Sequence, residues 1–123
     1  MIQVQTWLKP MDNSGANFVE CIKTLGGYNR TISYPGDFIL CSIKSLRLIR
    51  KVKTGQIHLA LITRTRKKSK FLDGSSVSSE KNVVILMNKK KRILGTRIFG
   101  WVSRHLRRKK FLRILLICGR WII

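Results

Sequence analysis

Short apolar runs rich in β-branched and aromatic residues recur along the chain, and turn-forming residues separate them. Phe18 to Leu25, Phe38 to Ile43, Ile57 to Thr65 and Val83 to Met87 are predicted strands. The breaks are Asp12-Asn13-Ser14-Gly15, Gly26-Gly27, Pro35-Gly36-Asp37, Asp73-Gly74 and Gly95. Some runs are apolar at consecutive positions, as in Phe38-Ile39-Leu40-Cys41. Such strands are covered on both faces or line a closed barrel. Their spacing favours a small β-barrel over a sandwich, because closure removes exposed edges. The scattered aromatics are expected mostly in the core.

The pattern changes after Gly100. Ser103 to Lys110 holds good helix formers without Gly or Pro, and Ser103 suits an N-cap. A helix there puts Arg104, Arg107 and Arg108 on one face. Phe111 to Ile117 is apolar and fits either a second short helix or a final strand. No internal repeat or linker interrupts the 123 residues, so a single domain is expected.

Charge narrows the function. Lys and Arg number 26 against 5 acids, a formal net charge of +21. Self-repulsion on that scale calls for a polyanionic partner. An apolar content of 44% excludes a disordered basic tail. No stretch approaches the ~20 apolar residues of a membrane span, and the N-terminus has no signal-peptide or presequence pattern. A membrane is therefore not expected as a partner. Cys21, Cys41 and Cys118 are widely spaced and His58 and His105 are solitary, so reduced structural thiols are expected, without metal or cofactor. The acids are few, three of them in turns, and no His lies beside a Ser or Cys in a nucleophile motif. The Gly95/Gly100 spacing of a phosphate loop is followed by Trp101 and Val102 instead of Lys and Ser or Thr. An enzyme is not expected.

The cations fall into clusters. Arg64, Arg66, Lys68 and Lys70 alternate beyond the apolar half of a strand, with Lys67 between them and a hairpin signal at Asp73-Gly74. In one continuous strand the four would share a face about 6.6 Å apart. This predicts a basic ribbon over about 64–79 that meets phosphates; the alternative is an edge strand with gatekeeper charges. Arg47, Arg50, Lys51 and Lys53 form a second cluster, and Lys89, Lys90, Lys91 and Arg92 a third. The fourth is the basic stretch from Arg104 to Arg113. Charge in four places suggests RNA on more than one side, not a single DNA-recognition helix. Lys23, Tyr28 and Arg30 are further candidate RNA contacts. A free basic nucleic-acid chaperone or nucleoid-type protein is the competing function, and a cationic membrane-surface protein a third.

The order of motifs resembles the universal large-subunit ribosomal protein number fourteen family, of bacterial and organellar type. The resemblance runs through Ile2-Gln3-x-Gln5-Thr6, Asp12-Asn13-Ser14-Gly15-Ala16, Cys21-Ile22-Lys23-x-Leu25-Gly26-Gly27, Gly36-Asp37 and Val52-Lys53-x-Gly55. It continues through Arg64-Thr65, Asp73-Gly74-Ser75, Asn82, Gly95-Thr96-Arg97-Ile98-Phe99-Gly100, Arg104-x-Leu106-Arg107 and Lys110-Phe111. It implies a mainly β fold: a five-stranded barrel with a projecting ribbon and one or two short C-terminal helices. It also implies a structural role in the large ribosomal subunit, with contacts to large-subunit rRNA and to neighbouring ribosomal proteins, and a bridge to small-subunit rRNA. A ribosome silencing factor docks on the same face in that family. By resemblance the face includes Thr96, Arg97 and Lys110, with Arg104, Arg107 and Arg108 beside them.

The sequence departs from the family pattern at Trp101, where Pro is usual, at His105, where Glu is usual, and at Ser79, where an aromatic is expected. Its end, Ile117 to Ile123, is apolar instead of acidic and suggests a packing partner, the alternative being a tail folded back on its own barrel. Lost acids, gained cations and abundant Ile and Lys point to an organelle-encoded protein, expected in a mitochondrion, with a plastid or an AT-rich bacterium as alternatives.

Overall fold

The protein is described from a computed structural model covering residues 1–103, 105–108, 111–118 and 121–122. Strands Trp7–Pro10 (β1), Ala16–Thr24 (β2), Phe38–Leu46 (β3), Ile57–Arg64 (β4) and Val83–Met87 (β7) close a barrel in the order β1-β2-β3-β4-β7. Two further strands, Ser69–Lys70 (β5) and Ser76–Val77 (β6), form a separate hairpin between β4 and β7. All four predicted strands are present. The parallel pair β1·β7 makes the closure, with Lys9 opposite Val83; every other pair in the barrel is antiparallel.

Strand β1 has no counterpart among the predicted strands, because it is short and ends in Pro10. Proline lacks a ladder donor and usually marks an edge or an end. Here Lys9 and Met11 donate to the carbonyls of Asn82 and Val84. The position without an N–H therefore faces away from β7, beyond the last β1·β2 partners, Leu8 and Val19.

Consecutive apolar residues in β4 and β7 serve two cores. Ala60, Ile62, Val84 and Leu86 point into the barrel with Ile2, Val19, Ile39, Cys41 and Ile43. Leu61, Val83, Ile85 and Met87 point outward and are covered by Ile98, Val102 and Leu106, and by Ile114, Leu115 and Cys118 of a helix at Leu112–Cys118. The barrel interior is aliphatic, and the half-buried rings of Phe38 and Phe111 flank the outer core. The aromatics are not mostly interior as expected: Trp7, Phe18, Tyr28, Tyr34 and Phe99 are exposed. A barrel of five strands has a narrow interior, and alternating Ile, Val, Ala and Cys fill it without room for rings.

The C-terminal segment begins with Val102–Ser103 (β8), so Ser103, expected as an N-cap, lies in a strand. A short helix, His105–Arg108 (α1), follows, then Leu112–Cys118 (α2), so the helical alternative holds for the apolar stretch. A last strand, Trp121–Ile122 (β9), pairs in parallel with β8. The tail thus returns to its own chain. Arg104 and Lys110 lie outside the described residues.

The basic ribbon differs from expectation. β4 ends at Arg64, after a register shift between Ile62 and Arg64, and β5 begins only at Ser69. Thr65 turns inward, its hydroxyl donating to the Lys67 carbonyl at 3.0 Å. The Asn82 side chain accepts the Arg66 N–H at 2.8 Å. These local bonds interrupt the strand between Thr65 and Ser69, although the Ser79 N–H still reaches the Thr65 carbonyl at 3.0 Å, so the two arms stay paired while Arg64, Arg66, Lys68 and Lys70 do not share one strand face. The hairpin turn is as predicted: Asp73 Oδ1 accepts the Ser75 N–H at 3.0 Å, and Gly74 adopts φ 83°.

Candidate nucleic-acid interface

Strand direction sorts the loops. Residues 25–37 and 65–82 leave one end of the barrel; residues 11–15, 47–56 and 88–92 leave the other. Candidate cations occur in loops at both ends.

The 12–15 turn organises its end. Asp12 is buried, and its carboxylate accepts the Leu86 N–H at 3.1 Å and the Ser14 hydroxyl. Asn13 reaches the 95–97 turn: its Oδ1 accepts the N–H of Thr96 at 2.7 Å and of Arg97 at 3.2 Å, and its Nδ2 donates to the Thr96 hydroxyl. Gly95 is needed there, since a Cβ would stand 2.8 Å from Asn13 Oδ1 and from Asp12 Cβ. One asparagine therefore fixes the backbone that presents Thr96 and Arg97 to solvent. The 47–56 loop docks on the same turn by main chain, Arg47 N–H to the Gly15 carbonyl and Lys51 N–H to the Ser14 carbonyl, each at 2.8 Å. Val52 is its buried anchor. Backbone bonds hold the loop, so Arg47, Arg50, Lys51 and Lys53 stay exposed.

Lys89, Lys90, Lys91 and Arg92 form the turn after β7, closed by the Asn88 N–H on the Arg92 carbonyl. All four are exposed, and Lys91 Nζ lies 5.0 Å over the Phe38 ring. Arg66, Lys67, Lys68 and Lys70 are exposed on the hairpin side, as is Lys23 on β2. Tyr28 is 99% exposed. Thr96, Arg97 and Arg107 are also exposed.

Two candidate arginines are not free surface cations. Arg30 is half-buried and ion-paired with Asp37, its Nε donating to the Ile32 carbonyl at 2.9 Å. It closes the 25–37 loop, and its own bonds compete with any phosphate. Arg64 is also half-buried. It lies 5.0 Å over the Trp101 ring, against Gly100, and its Nε is buried without a hydrogen-bond partner. Burial lowers its pKa from the ordinary arginine value.

Arg64 faces an open cleft of about 760 Å³. Lys9, Arg47 and Lys81 contribute three more cations to its walls, and Glu80 one acid. Phe99, Gly100 and Trp101 form its other side. Sequence reasoning missed Lys9, Lys81 and Phe99. Lys9 and Lys81 stand outside any cluster, and only the barrel closure brings β1 beside the segment before β7.

Among the described residues no group of three or more His, Cys, Asp or Glu side chains is placed to hold a metal. Cys21 and Cys41 are cross-strand neighbours, buried and free. Burial pushes their thiols up, to about 11 and about 12. They are packing groups, not nucleophiles.

A comparison with protein families matches residues 1–122 to the model described as ribosomal protein L14p/L23e.

Proposed function

The chain belongs to the ribosomal protein L14p/L23e family, and from that premise we propose that it binds large-subunit rRNA through phosphate contacts spread over both ends of the barrel. Membership makes it a structural protein of the large ribosomal subunit; the family is not one of enzymes. The observation that carries the rRNA reading is the display of cations. Arg47, Arg50, Lys51, Lys53, Arg66, Lys67, Lys68, Lys70 and Lys89 to Arg92 all stand exposed on loops whose backbones are fixed from within. A rigid body with cations on several sides suits packing among RNA segments. It carries little base specificity, because phosphate contacts convey no sequence information.

The 95–97 turn is the proposed intersubunit face. Asn13 holds Thr96 and Arg97 outward, and both meet the small-subunit rRNA bridge or a silencing factor. Abundant Ile and Lys support a mitochondrial ribosome as the location. Synthesis that continues under a cytosolic translation inhibitor and stops under an organellar one is the expected sign; the reverse pattern removes that assignment.

Sedimentation tests the main reading. The protein is expected to travel with the large subunit through a high-salt wash, and a free chaperone would be stripped. Binding of the isolated protein to rRNA fragments should weaken with salt at a slope near −7 for about eight phosphates. Replacing Arg66, Lys67, Lys68 and Lys70 by Ser should make that slope shallower by about 3–4 while the barrel stays folded.

A further inference from the structure

The cleft around Arg64 is concave, and it combines four cations, Lys9, Arg47, Arg64 and Lys81, with the exposed ring of Phe99. Its volume, about 760 Å³, lies within the range of about 300–1,000 Å³ common to ligand sites. Phe99 is 50% exposed along one wall and contributes to neither core. Its N–H donates to the Met11 carbonyl at 2.7 Å, which fixes the backbone that carries the ring.

Arg64 supplies the second observation. A half-buried guanidinium usually spends its donors on carboxylates or carbonyls, as Arg30 does here. Neither described ion pair involves Arg64, and its buried Nε has no partner. The Trp101 ring beneath it orients the planar group without using its donors. Gly100 makes this possible: a Cβ there would stand 3.3 Å from one terminal nitrogen and 3.5 Å from the other. The guanidinium is therefore oriented with its buried Nε unsatisfied, and Lys9, Arg47 and Lys81 line the same cleft with one acid, Glu80.

We propose that this cleft receives one unpaired nucleotide of RNA, its phosphate on the Arg64 guanidinium among the three lysine and arginine neighbours and its base stacked on Phe99. The inference rests on the rRNA-binding reading and deepens it. Elsewhere on the surface phosphate contacts make no distinction between paired and unpaired RNA. Here the ring requires a base that has left its helix, because paired bases keep their faces within the stack. The protein then recognises a bulged or looped position by shape and not by sequence, since every base has a face to stack.

Two RNA duplexes identical but for a single-nucleotide bulge test this with the full chain at about 0.1 M salt. Fluorescence anisotropy is expected to give binding about tenfold tighter to the bulged duplex, the scale of one base stacked on an aromatic side chain. Phe99→Ala should reduce that preference to less than about threefold. Arg64→Gln should reduce it as well, and circular dichroism establishes that each variant is folded. Phe99 lies outside both cores, so its variant stays informative if Arg64→Gln fails to fold. Lys68→Ser, outside the cleft, should weaken both RNAs equally and keep the ratio. A wild-type preference below about twofold, or a preference that survives Phe99→Ala, overturns the proposal and leaves the rRNA reading standing. Failure to bind either duplex overturns the rRNA reading itself.

Discussion

The 25–37 loop and the Arg64 cleft each contain a half-buried arginine, and the two are used in different ways. Arg30 is enclosed by its own chain: Asp37 takes the charge, and the Ile32 carbonyl takes Nε. Even Gly26 is fitted to it, since a Cβ there would stand 2.7 Å from a terminal nitrogen. Arg64 has a ring beneath it and a buried donor facing nothing. Burial alone therefore does not separate a structural cation from a binding one. What separates them is whether the fold supplies the anion.

Removing the anion should expose the difference. Asp37→Ala strands Arg30 and deprives the Tyr34 N–H of its acceptor. A loss of about 2–3 kcal/mol in unfolding free energy is expected, below the full cost of a deeply buried pair because both side chains retain some solvent. Arg64→Met is expected to change stability by less than about 1 kcal/mol, since it removes an unsatisfied donor and keeps the packed stem. Its rRNA affinity should fall several-fold, whereas any affinity lost in Asp37→Ala should follow the fraction unfolded. Urea titrations and binding curves on the same preparations measure both; a large loss of stability in Arg64→Met would collapse the contrast.

The 12–15 turn offers an intermediate case, in which a polar side chain serves structure and presentation together. Asn13→Ala should cost about 1–2 kcal/mol, as two main-chain donors lose their acceptor near the surface. Amide hydrogen exchange at Thr96 and Arg97 should accelerate well beyond what that global loss predicts. Uniform acceleration across the barrel would mean that Asn13 does not hold the turn locally.

The smallest effect concerns pH. Cys21 and Cys41 titrate near 11 and 12 in the folded protein, above an ordinary thiol near 9. Folded pKa values above unfolded ones give stability that is complete below about pH 9 and declines as pH rises toward 11–12. Below pH 9 these groups should leave stability flat, and alkylation of native protein at pH 8 should be slow compared with the unfolded chain. Fast alkylation of Cys41 would show that the barrel opens locally.

Much of the fold was legible because the barrel's long strands carry uninterrupted β-branched runs. β2, β3, β4 and β7 lie where the pattern predicts them. β1 was not legible: Trp7 to Pro10 has too few residues for a period, and its pairing depends on a strand more than 70 residues away. The continuous ribbon was over-read. Alternating charge matches a strand, but Thr65 and Asn82 offer local hydrogen bonds that compete with the ladder. The exposed cations of the loops could be read from the sequence, because charge runs rarely bury. The cleft could not, since Lys9, Arg47, Arg64, Lys81 and Phe99 meet only through tertiary closure. The fate of Arg30 was equally hidden, because nothing local marks Asp37 as its partner.

The parallel closure of β1 on β7 has a consequence for how the chain is made. β7 leaves the synthesising ribosome roughly 75 residues after β1. Asp12 likewise waits for the Leu86 N–H, 74 positions downstream. Until then the barrel has an open seam, and Leu8 and Val19 lack part of their cover. Contacts of such sequence separation are slow to form because the intervening loop must first be ordered. Newborn copies thus pass through a state that is strongly cationic and only partly closed, in which unpaired strand edges favour association. Early capture of the loop cations by RNA would shorten the life of that state, so assembly and folding become parts of one process.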